Sequence, residues 1–580
     1  MRTTIKVCIS LLMFALLFVS CDQSPAPNPV PQSVTISYNS LQNTPHNGGK
    51  YYPIQSGTTE VIITNLPQGN SLNLVRINPT RSDRIGLATV TANNYSGTSH
   101  SALDNYETEL ACIENDPASY NSVGYVGTSD GPFEIPFIDK TDYAKLEREY
   151  KEKYSSRIVE PDRMVAGGQS FSEGATKAFK VENGNDVIEV HATLRAEGEH
   201  CYVWVSDGQI VDEQGNYSNT GKYVNFDSTS ATTNNDNKIT LNQAENLADA
   251  FDALFEVETA LIGNSYTTNP DSTYFINPQA KVSIIVYDIS GDFTENQTGG
   301  TFGMFWGGDL YKASVQEDSN EMELLYVDSY FTDRYFTPVI STVAHEFEHM
   351  LYFVNKWMGQ RVTTGATWYT EMGAMMAEDC LATYLSTHEP NFVISRDSTL
   401  GRLDVFNLLY FSGGLSYWGS GDAVYTSYAI SGIFGCWLQR NYGGKDLIKY
   451  IVNNDVSNEA SITKAIQSSG SNDTFLDAFR KFALSFVQPD ATAFTLNKSR
   501  PADANGNYAL VAADPWSETY KNQIDEDDYL YGPLFIPGNY TGVMRRYGFW
   551  LHGWNSSECT GVRLNLSAVT GEENYIVITL

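Results

Sequence analysis

From residue 33 to 136, short apolar and polar runs alternate and are broken by Gly, Asn and Pro. Glu60-Val-Ile-Ile-Thr64 and Leu72-Asn-Leu-Val-Arg-Ile77 are the clearest examples. A strand turns successive side chains to opposite faces, so this stretch predicts an antiparallel β region over 33–140. Tyr143–Arg157 is a charged, weakly amphipathic helical stretch and marks a boundary. Val187–Leu194 and Cys201–Val205 read as paired strands with Gly198 in the turn. Over Leu241–Ile262 the period changes: Leu247, Phe251, Leu254 and Leu261 fall on one helical face, and Gly263 is the stop. Lys281–Tyr287 and Leu324–Val327 are short, almost wholly apolar runs and read as buried strands. Thr337-Pro338 is expected to open a helix running to about Asn355, with threonine as cap and proline at the first helical position. Further helices are expected at about Thr367–Thr387, Tyr425–Tyr442, Asp446–Asn453 and Asn472–Phe486. Strand-like alternation returns from about Thr495 to the final Tyr575–Leu580 run. No fixed-period repeat is visible.

The first residues follow a different pattern. Arg2 and Lys6 precede the apolar stretch Val7–Val19, which is short for a bilayer span and reads as a targeting segment, residues 1–20. Leu17-Phe18-Val19-Ser20-Cys21 resembles a bacterial lipobox, with Phe18 at the usual leucine place, so Cys21 is expected to carry lipid. Residues 21–32, with Pro25, Pro27, Pro29 and Pro31, read as an extended tether. The expected location is a bacterial membrane-anchored lipoprotein facing the periplasm or the cell surface. At about 100–200 residues per domain, 580 residues leave room for a 33–140 β-rich module, a 160–490 core and a 495–580 β-rich module. A net charge of −32 opposes a nucleic-acid partner, which needs a basic face. An apolar share of 42% supports packed cores rather than global disorder. Apart from Cys8 and Cys21, five cysteines remain, an odd number without a Cys-x-x-Cys pair, so a structural cysteine–zinc site is not expected. The pattern fixes no oligomeric state.

The chemistry concentrates in Ala344-His345-Glu346-Phe347-Glu348-His349-Met350. Residues four apart share a helix face about 6 Å apart at Cβ. His345 and His349 can therefore fill two positions around a tetrahedral Zn2+. Glu346, next to the first histidine, is placed to take a proton from an attacking water. A catalytic zinc takes a third protein ligand and keeps one position open. Glu371, 22 residues after His349, is the preferred third ligand, because a turn and an antiparallel helix fit in that length. Gly373, Ala374 and Ala377 would let the two helices approach closely. Glu378 is the rival, preferred as the carboxylate that holds a ligand histidine; His388 is a further rival. The bland alternative for Glu371 is a first-turn glutamate favoured by the helix dipole.

These residues resemble the gluzincin metallopeptidases, which join His-Glu-x-x-His to a downstream glutamate, and more narrowly the hyicolysin-type neutral metalloproteases. The resemblance extends through Ala192–Val205, Asn320–Asp328, the metal helix and Ser427–Gly443, within roughly residues 183–487. It implies an α+β fold: a zincin-type core (a small sheet plus a helical active-site and C-terminal subdomain) flanked by β-rich modules. It also implies one catalytic zinc on His345, His349 and Glu371, Glu346 as general base and then acid, and protein or peptide substrates. A later tyrosine often supplies the oxyanion donor in gluzincins, which points to Tyr428, with Tyr425 as alternative. Thermolysin-like members carry an aspartate four residues after the glutamate ligand. Met375 stands there, which leaves Glu378, Asp379 or another carboxylate to orient a histidine.

Gly127-Thr-Ser-Asp-Gly131 fits a nucleophile-elbow spacing, but Pro132 and Pro136 follow it and make it a turn. His191 and His200 flank the predicted hairpin and read as packing residues. Calcium is kept beside zinc by analogy with secreted zincins. Its candidate stretches, Asp525–Asp528 and Asn234–Asn237, lack the alternating loop of an EF-hand. The rival function is a non-catalytic binding or adhesive lipoprotein with an inactive zincin core; a structural site does not need the base Glu346.

Overall fold

The computed structural model describes residues 32–93 and 170–579, less 44–48, 68–70, 85–89, 185, 230–235, 266–272, 296–299, 361, 363–364, 389–401, 422, 488–493, 502–507, 524–528, 541, 556–560 and 567–571. The expected leader, residues 21–31 of the expected tether with Cys21, the expected helix at 143–157, the expected turn at 127–131, the 525–528 stretch and residues 234–235 lie outside the described residues, and Gln32 opens a strand.

The fold is mixed α+β. The N-terminal segment supplies β1 (Gln32–Ser37), β2 (Gly49–Ile54), β3 (Thr58–Thr64), β4 (Ser71–Ile77) and β5 (Val90–Asn93). The middle supplies β6 (Thr176–Asn183), β7 (Asp186–Glu197), β8 (Cys201–Ile210), β9 (Val282–Tyr287), β10 (Gly303–Phe305) and β11 (Leu324–Asp328). The C-terminal segment supplies β12 (Phe549–Asn555), β13 (Gly561–Leu566) and β14 (Glu573–Thr579). The helices are α1 (Leu241–Leu261), α2 (Ser329–Arg334), α3 (Phe336–Tyr352), α4 (Thr367–His388), α5 (Arg402–Leu409), α6 (Ala423–Asn441), α7 (Asp446–Val452), α8 (Asn458–Ser468) and α9 (Phe475–Ser485).

The two end segments, expected as separate modules, share both of their main sheets. One runs β1–β3–β13–β5, and the other runs β12–β4–β14–β2. In the second, β4 lies between β12 and β14, with Trp550 opposite Arg76 on one side and Ile576 opposite Leu74 on the other. The physical reason is the two-sided burial of β4. Leu72 and Leu74 join Val61, Ile63, Val562, Leu564, Ile576 and Ile578 between the sheets. Val75 and Ile77 join the main core from the other face, where Phe549 meets Phe482 of α9. Neither segment buries these residues alone.

The central sheet runs β10–β11–β9–β8–β7–β6. β9 is parallel to both β8 and β11, and β10 closes the edge antiparallel to β11. Alternation sorts its side chains into two cores. Val203, Val205, Ile284 and Val286 pack in the cluster that contains α1 and α3. Tyr202, Trp204, Ile285 and Tyr287 pack in a smaller one on the opposite face. Gly303 lets β10 lie against α3, because a Cβ there would sit 2.8 Å from Thr342 Cγ2.

Helix α1 opens with a capping box between Thr240 and Gln243. Helix α3 does not open as expected. It begins at Phe336, its N-cap is Tyr335, and no side chain caps it. Tyr335 also ends α2, whose own cap is Asp328. The preceding helix abuts the start of α3, so Thr337 and Pro338 lie within its first turn. From Val339 to Tyr352 every residue of α3 is buried. The helix continues as a π-helical segment, Phe353–Gly359. Among the described residues, no helix is long and apolar enough to cross a membrane, and Cys201, Cys380 and Cys436 are free and buried.

Candidate metal centre

Helix α3 presents His345 and His349 one turn apart, with ring centroids 4.8 Å apart and planes 84° apart. Helix α4 packs against α3 and brings Glu371 to both. Glu371 Oε2 lies 3.0 Å from His345 Nε2 and 3.5 Å from His349 Nε2. One ligand atom from each of these three residues lies within 4.8 Å of the others, and all three residues are buried. The close approach is built by small residues. A Cβ at Gly373 would sit 2.9 Å from Glu348 Oε1. Gly432 and Gly435 of α6 seat against Met375 and Met372 from the other side.

Charge follows from this burial. Burial works against a charged His345, but hydrogen bonds to Glu371 and Glu378 raise its pKa well above the ordinary histidine value. Burial likewise opposes a charged His349, and Glu371 raises it to about 9. Glu371 would be pushed up by burial, yet His349 and His345 hold it down at about 2. The proton between Glu371 and His345, and the one carried by a charged His349, are those a metal cation would displace. The donor set fits such an ion. Two imidazole nitrogens and a carboxylate suit Zn2+, and His349 Nε2 is buried without a hydrogen-bond partner.

The remaining groups arrange around this cluster. Glu378 sits 2.6 Å from His345 Nδ1 and accepts a hydrogen bond from Ser341 Oγ at 3.1 Å. Arg402 stands 3.8 Å from Glu378 Oε2. Asp379, the neighbouring candidate, points elsewhere and makes a buried bidentate pair with Arg440. Glu346 lies one residue along from His345 and accepts the Phe305 backbone N–H at 2.9 Å. Burial raises the Glu346 carboxyl to about 7 against the pull of His345 and His349. Tyr428 of α6 is buried beside Trp418, with Arg402 near its ring. Its hydroxyl interacts with Glu371. Tyr425 is half-buried at the edge of the same small cluster, where Met375 also lies. The His388 side chain lies outside the described ones. His191 stacks on Tyr217 and His200 on Phe255, both on the central sheet or its turn and not grouped with a metal-binding set among the described residues.

Three neighbours of the site were not foreseen. The Phe305 N–H is a backbone donor, and no residue type announces it. Arg402 lies on a short helix without a clear period. Glu258 did carry a signal: it falls on the same α1 stripe as Leu254 and Leu261 and is fully buried.

The chain is 28% identical over 290 residues to the "Neutral metalloprotease ShpI" of Staphylococcus hyicus, an alignment covering 49% of this chain and 55% of that protein. The chain thus spans about half the length of the curated relative it matches. The family model Peptidase M30 matches residues 209–526, a stretch that holds α3, α4 and α6 with His345, Glu346, His349, Glu371, Glu378 and Tyr428. With more than half of its length matched, the chain belongs to the peptidase M30 family.

Proposed function

We propose that this protein is a zinc-dependent endopeptidase working outside the cytoplasm, with a zincin-type core over about 160–490. The observation that carries the reading is the convergence of His345 Nε2, His349 Nε2 and a Glu371 carboxylate oxygen in one buried group. The similarity to a neutral metalloprotease supports the same reading. Bound zinc would polarise the scissile carbonyl and acidify the attacking water.

The protein's own residues do the rest. Glu371 and the two histidines hold the ion. Glu378 orients His345 through Nδ1, as second-sphere carboxylates do. Glu346 Oε2 is held by the Phe305 N–H, which leaves Oε1 to take the water's proton and pass it to the leaving amine. Tyr428 donates its hydroxyl to the developing oxyanion. The sandwich built from both chain ends would position large substrates, and a lipid on Cys21 would hold the protein at a membrane. Incorporation of labelled palmitate that is lost in Cys21→Ala tests that anchor.

The central test is zinc content and casein hydrolysis of the chain from Cys21 onward, beside Glu346→Gln. One zinc per chain, chelator-sensitive cleavage and an inactive variant that keeps its zinc support the reading. Near wild-type hydrolysis by Glu346→Gln removes Glu346 from its role, and absence of zinc from the parent protein removes the metal centre.

A further inference from the structure

The reading above leaves two buried carboxylates without a task. Glu258 on α1 and Glu348 on α3 are fully buried. Neither oxygen of either group has a hydrogen-bond partner. An unpaired carboxylate removed from water is strongly destabilising unless a charge or donor compensates it. The two groups do not compensate one another, since each is an acid that disfavours ionisation of its neighbour. The charge-bearing group that Glu348 does face is the imidazole of the next residue, His349.

The geometry agrees. Glu348 Oε2 lies 3.5 Å from His349 Nδ1, the ring nitrogen turned away from Glu371. His345 has the tighter version of this layout, with Glu371 3.0 Å from Nε2 and Glu378 2.6 Å from Nδ1, where the two contacts on His349 are each 3.5 Å. Each ligand imidazole therefore has Glu371 at one nitrogen and a carboxylate of its own at the other. Adjacent residues on a helix point about 100° apart, so Glu348 must curl back to reach its neighbour. Gly373 gives it the room. A side chain there would meet Glu348 Oε1 at 2.9 Å.

We propose that Glu348 is a positioning residue for His349, accepting from Nδ1 and so fixing the tautomer and ring plane that turn Nε2 toward the metal. The proposal rests on the reading of His345, His349 and Glu371 as metal ligands. Outer carboxylates of this kind typically change metal affinity by roughly 10- to 100-fold.

The test uses zinc alone, titrated against a chromogenic chelator into the parent protein, Glu348→Ala and Glu348→Gln. Proton NMR of the Co2+-loaded proteins is the second readout, because ring N–H protons of ligand histidines are shifted far from the bulk. Glu348→Ala should bind zinc roughly 10- to 100-fold more weakly, while Glu348→Gln, whose amide oxygen still accepts, stays within about threefold. The Co2+ spectrum should lose one of two shifted N–H signals in Glu348→Ala and keep both in Glu348→Gln. If Glu348→Ala does not fold, Glu348→Leu fills the volume without an acceptor and carries the same expectation. Unchanged zinc affinity with both N–H signals intact in the acceptor-free variant overturns the proposal. A parent protein that binds zinc but does not cleave casein overturns the peptidase reading and leaves this one standing. A parent protein that binds no zinc overturns both.

Discussion

Glu378 and Asp379 are neighbours in sequence, are both buried, and were both open choices for the carboxylate behind a ligand histidine. The structure gives them opposite tasks, and alanine at each position separates these. Asp379 makes a two-point pair with Arg440, whose guanidinium has no exposure at all and also donates to the Val511 and Cys436 carbonyls. Removing Asp379 leaves a buried cation without its anion, a loss of about 3–5 kcal/mol. At about 2 °C per kcal/mol for a unit of this size, the melting temperature of Asp379→Ala should drop by roughly 6–10 °C. None of its described contacts reaches His345, His349 or Glu371, so zinc affinity in the folded variant should match the parent. Glu378→Ala leaves Arg402, whose side chain is 13% exposed and can turn toward water, so the stability loss should be smaller. It removes the only acceptor described at His345 Nδ1, and zinc binding should weaken by roughly 10- to 100-fold. Calorimetry of the metal-free proteins and chelator competition with zinc read the two quantities separately. If Asp379→Ala loses zinc affinity at unchanged stability, or Glu378→Ala binds zinc like the parent, the assignment of the two carboxylates is wrong.

Three further expectations follow from particular contacts. Tyr428→Phe should lower kcat by roughly 100- to 1000-fold on a casein-type substrate with zinc content unchanged; a kcat within a few-fold of the parent would take the oxyanion away from Tyr428. Arg76 and Glu572 form a two-point ion pair, with side chains 2% and 1% exposed, that joins β4 to the start of β14. Glu572→Ala should therefore cost about 3–5 kcal/mol in denaturant unfolding followed at the sandwich, and a loss below about 1 kcal/mol would mean that the pair is not holding the two chain ends together. His552 is buried, donates from Nδ1 to the Ile536 carbonyl, and is lowered to about 3 by burial and by Arg76. Its neutral form is the folded one, so its contribution is complete above the unfolded value of about 6.5 and is lost as pH falls toward 3, by about 1.4 kcal/mol per pH unit. The parent should lose stability between pH 6 and 5 more steeply than His552→Gln by about that amount, and equal slopes in the two proteins would refute it.

What could be read from the sequence was what is local. His345, Glu346 and His349 share one stretch of helix, and helical spacing alone sets which side chains lie together. Glu371 and Glu378 are two turns apart on the next helix, which is why the same spacing put both near the first histidine. The hairpin around Gly198 and the face of α1 were legible for the same reason. The non-local parts were not. Alternation in Leu72–Ile77 says that β4 has two faces, but not that its partners begin at Phe549 and Glu573, more than 470 residues on. Two strand runs with matching periods can pair in many combinations, and the choice is made by burial on both sides. That is how two expected modules became one sandwich whose inner sheet leans on α9. The start of α3 failed for a related reason. Thr337-Pro338 carries a local signal for a helix start, but α2 ends at Tyr335 and leaves no free end there to be capped. The donor to Glu346 is a main-chain N–H on an edge strand, and its position depends on Gly303 letting that strand lie against α3. The residue that holds Glu346 is thus chosen by packing at a glycine two places before it, a constraint visible only once β10 and α3 are seen together.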